Sequence, residues 1–115
     1  MWRDDALLLD ILLAAGDARE FIHGLDWAGF STSKLHQSAV IRCVEIIGEA
    51  AAQVSKEFQE RNPEIPWRKV IGMRNRLIHA YNEVRLDIVW EVVQHELPSL
   101  IETLKPLIPP EDDFS

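Results

Sequence analysis

Val40-Ile41-Arg42-Cys43-Val44-Glu45-Ile46-Ile47-Gly48-Glu49-Ala50-Ala51-Ala52-Gln53-Val54-Ser55-Lys56-Glu57-Phe58 repeats apolar residues at 40, 44, 47, 51, 54 and 58, alternating four- and three-residue steps. At 3.6 residues per turn those positions fall on one stripe, and a stripe of this length faces other helices rather than a sheet. Gly48 and Ala50-Ala51-Ala52 are small enough for a close helix crossing. Arg42, Glu45 and Glu49 lie on the polar flank, where the two carboxylates are either solvated or orient a cation from a neighbouring helix.

Working outward, the same period appears upstream. Asp4 and Asp5 sit where a helix start favours acidic side chains, and Leu8, Ile11, Ala15, Ala18 and Ile22 follow as an inward stripe ending near Gly24. The stretch Gly24–Phe30 breaks the pattern with two glycines, and its aromatics Trp27 and Phe30 are expected to pin a loop to the bundle. Ser31, Thr32 or Ser33 can cap the long second helix. Downstream, Asn62-Pro63-Glu64-Ile65-Pro66 ends it, and Pro66 suits the start of a third. A fourth runs from about Leu86, with Val89, Val92 or Val93, Leu97, Leu100 or Ile101, and Leu104 turned inward. Pro98 should kink it, and Pro106, Pro109 and Pro110 should end it before the acidic Glu111-Asp112-Asp113. The expectation is an all-α, four-helix up-and-down bundle with a short extra helix, one domain over residues 1–115 with a Pro-rich tail from about 106.

Composition limits the function. The apolar run Ala6–Ala15 is interrupted by Asp10 and preceded by acidic residues, so it reads as neither signal peptide nor membrane span. Cys43 is alone, which excludes a disulfide within the chain and suggests a reducing, cytoplasmic setting. No HExxH or Cys/His spacing surrounds His23, His36 or His95, so neither a metal nor another cofactor is expected. The net charge is −7, yet Arg61–Arg85 holds six basic and two acidic residues, a local +4 against −11 elsewhere. A cationic site on an acidic body suits an anionic substrate, although charge clusters are also commonly just solvated.

Inside that window stands Arg74-Asn75-Arg76-Leu77-Ile78-His79-Ala80-Tyr81. On one continuous helix from 67 to 81, Arg74 would lie within the apolar face of Val70, Met73, Leu77, Ile78 and Tyr81. His79 would point about 140° away, with Asn75 and Arg68. Three arrangements bring the pair together: the helix ends before His79, the arginine curls around, or two chains share a site, the last being preferred because symmetric dimers are the commonest oligomers. Arginine can stabilise charge on a pentacoordinate phosphorus, and histidine can move a proton near neutral pH. On RNA the substrate's own 2′-hydroxyl can be the nucleophile. A purely structural reading puts Arg74 in a buried salt bridge and has His79 cap a helix C-terminus.

The string from Arg74 to Tyr81 resembles the Arg-x4-His-x-Tyr motif of HepT-like toxins in the HEPN superfamily. Ile46–Ala50, Ile65–Met73 and the helical layout from about residue 5 to 108 resemble that family as well. The resemblance implies a metal-independent endoribonuclease, the toxin of a toxin–antitoxin pair, acting on RNA as a homodimer whose two motifs line one cleft. By position Arg74 and His79 would be catalytic, and Asn75 matches the polar residue that follows the arginine. Tyr81 matches the tyrosine that a partner minimal nucleotidyltransferase, the antitoxin, modifies with AMP. Ala80 stands where glycine is common. Arg76 lies in the variable part of the motif, so its phosphate contact, like that of Arg68, is inferred from charge rather than from the family. The alternative is a non-catalytic subunit of a nucleotidyltransferase complex that only binds nucleotide or protein.

Overall fold

The computed structural model describes residues 2–79 and 83–108, without the side chains of Trp2, His79 and Glu83. Two 20-residue helices, α1 (Trp2–Phe21) and α3 (Lys34–Gln53), make the largest packing surface, and they run antiparallel. Arg3 at the start of α1 donates to Gln53 at the end of α3 (3.2 Å), while Phe21 at the other end of α1 meets Leu35 and Ala39. Leu8, Ile11, Ala15, Ala18 and Ile22 are all buried, as are Val40, Val44, Ile47, Ala51 and Val54, so both periodic stripes form the core. At Gly24 a positive φ of 81° turns the chain out of α1, a conformation in which a Cβ is penalised.

The stretch expected to be a loop contains a short helix, α2 (Trp27–Ser31), because the Asp26 carboxylate accepts from Gly29 N–H at 2.8 Å and caps it. Phe30 is fully buried, and its ring stacks at 5.1 Å on Trp90 from the fourth helix. Trp27 leans on both rings while remaining 44% exposed. Ser33, of the three cap candidates, is the one that caps α3, accepting from His36 N–H.

The second stripe is interrupted where its period gave no warning. Val54 is extended (φ −62°, ψ 137°), and a separate helix α4 (Lys56–Arg61) begins after it. Ser55 caps α4 by accepting from Phe58 N–H, and its own N–H and hydroxyl donate to the two oxygens of Asp4, at 2.9 and 2.7 Å. Asp4 therefore works across the fold, pinning the start of α1 to the α3–α4 corner.

Pro66 stands at the N-cap of α5 (Trp67–Ile71), one position earlier than the first helical turn proper. After α6 (Met73–Leu77), a two-residue antiparallel pair forms between β1 (Ile78–His79) and β2 (Glu83–Val84). The fourth helix is in three pieces: α7 (Leu86–Glu91), a π-helical turn (Val92–Glu96), and α8 (Leu97–Leu104), with Lys105–Leu107 closing as a 3-10 turn. The interruption expected from Pro98 takes this form. Leu97 N–H reaches back to Val92 O, and Pro98 has no N–H to offer, so Val93 O is left without a helical donor. Arg19 of α1 supplies one, donating from Nη1 at 3.2 Å. The result is the all-α, HEPN-like bundle, with α2 and α4 as short additions to four helical rods. The acidic tail Glu111-Asp112-Asp113, Pro109 and Pro110 lie outside the described residues.

Candidate nuclease site

The cationic segment is placed by a close crossing. Gly48 on α3 faces the C-terminal end of α5, and a Cβ there would meet Ile71 O at 3.3 Å, so any side chain at this position would crowd the α5 backbone. Trp67 anchors the start of α5: it is 8% exposed, stacks edge-on against Phe58 at 6.1 Å, and donates from Nε1 to Asn62 O at 3.0 Å. A ring so occupied is a packing anchor and offers no face to a base.

Residues 67–81 do not form one continuous helix. The rod breaks at Gly72 and again after Leu77, where Ile78 turns extended (φ −103°, ψ 116°). Leu77 O then accepts from Arg85 N–H at 2.7 Å, and β1 pairs antiparallel with β2, so the backbone at Ile78 and His79 leaves the course of α6. The condition of the first of the three arrangements weighed above is met, since the helix ends before His79. His79 belongs to β1 by its backbone, paired with Glu83. Its side chain, and Ala80, Tyr81 and Asn82 altogether, lie outside the described residues.

The expectation that Arg74 sits inside the apolar stripe is overturned. Val70, Met73 and Leu77 are buried, but the Arg74 side chain is 50% exposed and donates from Nε to Glu45 Oε2 on α3 at 3.2 Å. The physical reason is that α6 packs beside α3 at that position, and the polar flank of α3 meets the arginine where an apolar surface would have covered it. Arg74 is thus in an ion pair, but an open one. Asn75 is exposed beside it, and both line a shallow groove of about 180 Å³ with Gly48, Glu49, Ala52 and Ile71. Arg68 is exposed one helix earlier.

Arg76 points elsewhere. Its Nη1 and Nη2 donate to the two oxygens of Glu96 at 3.1 and 2.8 Å, and Lys69 Nζ adds a 3.5 Å contact to the same carboxylate. Hydrogen bonds from the Arg76 guanidinium outweigh partial burial and hold the Glu96 carboxyl below the usual carboxylate range. The π-helical turn that carries Glu96 and the α6 helix are locked together by this pair. Arg76 is consequently spent on structure, and a free phosphate contact from it would require Glu96 to let go. Of the two carboxylates weighed as orienting a neighbouring cation, Glu45 does so for Arg74, while Glu96 and Asp4 gave no such signal in the sequence, since each lies 20 or more residues from the group it holds.

Among the described residues no three His, Cys, Asp or Glu side chains cluster as metal ligands, and no helix is long and apolar enough to cross a membrane. The fold is thus a small all-α, HEPN-like bundle with an exposed Arg74-Asn75 pair at the lip of a shallow groove. A family profile described as "Ribonuclease HepT-like" matches residues 11–107. The chain is also similar to a "Probable ribonuclease HepT" of Thermococcus cleftensis, 42% identical over 93 residues that cover 81% of this chain and 84% of the relative. An "mRNA nuclease HepT" of Shewanella oneidensis is 53% identical over 30 residues, 26% of this chain and 23% of the relative. No solved structure matches the chain. The protein belongs to the HepT-like ribonuclease family.

Proposed function

We propose that this protein is a metal-independent endoribonuclease, the toxin of a toxin–antitoxin pair, in which Arg74 and His79 carry the chemistry. The observation that carries the reading is the helix end at Leu77. A continuous helix would hold the two side chains about 140° apart. Extended backbone at Ile78–His79 releases His79 from that helical phase while keeping it five residues from an exposed arginine.

In the reaction a ribose 2′-hydroxyl attacks the adjacent phosphorus, and the imidazole of His79 takes its proton. The Arg74 guanidinium stabilises the negative charge that builds on the phosphoryl oxygens. The bond to the 5′-oxygen breaks, that oxygen takes up the proton the imidazolium gives back, directly or through water, and the products are a 2′,3′-cyclic phosphate and a 5′-hydroxyl end. Asn75 and Arg68, both exposed on the same segment, supply contacts to the RNA backbone. A homodimer joining two such segments in one cleft completes the cytoplasmic, single-domain toxin. A minimal nucleotidyltransferase silences it by placing AMP on Tyr81, adjoining the catalytic histidine with a bulky anion that competes with the substrate phosphate.

Expression of the wild type alone should stop growth and fragment cellular RNA, while His79→Ala should do neither and remain folded. Intact RNA in both strains would leave the chain as a non-catalytic binding subunit. Co-expression with the nucleotidyltransferase should add one AMP mass to the peptide holding Tyr81. Modification found only at other residues, with the partner active, would remove Tyr81 from the scheme.

A further inference from the structure

We propose that Glu45 is the positioning residue that sets the aim of Arg74, an inference that rests on Arg74 being the catalytic cation. Arginine reaches its target through a long flexible stem, and Arg74 stands half exposed on a helix of five residues. Nothing in that short element fixes where the guanidinium points. Glu45 supplies what is missing, because it belongs to the 20-residue α3 at the centre of the bundle and its side chain is only 28% exposed.

The atoms used are informative. Glu45 takes Nε, the inner nitrogen, at 3.2 Å, and among the described residues neither terminal nitrogen of Arg74 has a partner. A guanidinium held by Nε keeps its outer fork open for the two-point contact that phosphate accepts. Glu49, one turn further along the same groove, does not share the task. It is 60% exposed, and among the described residues its carboxylate pairs with Arg42 alone, at 3.8 Å.

The arrangement has an electrostatic cost. A carboxylate beside the arginine offsets part of its charge and repels the phosphodiester that must approach, and a pair this exposed adds little to stability. Positioning is the gain that offsets that repulsion. Removing Glu45 therefore acts in two opposite directions: the arginine loses its aim, which lowers kcat, and the site loses a negative charge, which leaves KM unchanged or lower. A side chain needed only for folding would produce no such split.

The test is steady-state cleavage of a short RNA by the full chain, with folding followed by thermal melting. Glu45→Ala should lower kcat by about ten- to a hundredfold, the scale of a misaligned catalytic group, with KM equal or reduced. Glu45→Gln keeps an oxygen that can accept from Nε but loses the charge, so its kcat should stay within about threefold of wild type while KM falls. Glu60→Ala removes an equal charge from the exposed surface of α4, outside the groove, and should keep the wild-type kcat. Wild-type kcat in Glu45→Ala, or equal loss in Glu45→Ala and Glu45→Gln, would overturn the assignment. If Glu45→Ala melts before assay, Glu45→Gln alone decides: retained kcat supports the role and a lost kcat in a folded protein refutes it. Full activity in Arg74→Ala would instead remove the catalytic reading beneath it, so the two failures are separable.

Discussion

Asp4 shows how one buried carboxylate can hold a corner. It is 3% exposed, and both of its oxygens are engaged by Ser55, which in turn caps α4. Burial alone would push its carboxyl up, but the hydrogen bonds from the Ser55 hydroxyl and backbone N–H outweigh that and hold it below its ordinary value. The unfolded chain then binds a proton more readily than the folded one, so the stabilisation is present above about pH 4 and is lost as pH falls through the folded value. Glu96, held down chiefly by Arg76, contributes with the same sign. Thermal melts should show the midpoint dropping below about pH 4, and Asp4→Ala should shrink that dependence while costing about 1–3 kcal/mol at neutral pH, because Ser55 N–H loses its acceptor. A melting curve as stable as wild type at pH 7 would show that the corner holds without the carboxylate.

At the scale of elements, the site exists because two rods cross closely and one of them stops. Gly48 permits the first condition and the extended Ile78 the second. Gly48→Val should drive α5 off α3, lowering the melting temperature and RNA cleavage together, since the added atoms meet backbone carbonyls that cannot rotate away. Unchanged activity would mean that the crossing does not set the site. The four helical rods and nearly all their inward residues were legible in the sequence, because a 3.6-residue period is imposed by burial itself. The breaks were less legible. Asp26 capping α2, Val54 ending α3 and the π-helical turn before Pro98 each depend on hydrogen bonds that local periodicity does not encode. Arg74 was misplaced for the same reason: the helical period puts it in the apolar face, but it stands half exposed against Glu45, 29 residues away. The motif residues themselves could be picked from the string and Glu45 stood out as a possible orienting carboxylate, while which cation it holds, and that Glu96 holds Arg76, could only be found in three dimensions.

For the whole molecule, an acidic body carries a narrow cationic segment, and a single chain of 13.2 kDa presents one Arg74 and one His79. Light scattering on the purified chain should report twice that mass if two segments share a cleft, and a monomer that is fully active would exclude the shared arrangement. The central claim is that Arg74 and His79 cleave RNA through the substrate's own 2′-hydroxyl, without a metal. It is tested most directly by following a labelled oligoribonucleotide in excess chelator with wild type, Arg74→Ala and His79→Ala, beside the same oligonucleotide with a single 2′-deoxy substitution at the cleaved position. The account predicts cleavage to a 2′,3′-cyclic phosphate by wild type alone, and none at the deoxy position. Cleavage that persists in His79→Ala, or that proceeds equally well at the deoxy nucleotide, would contradict it.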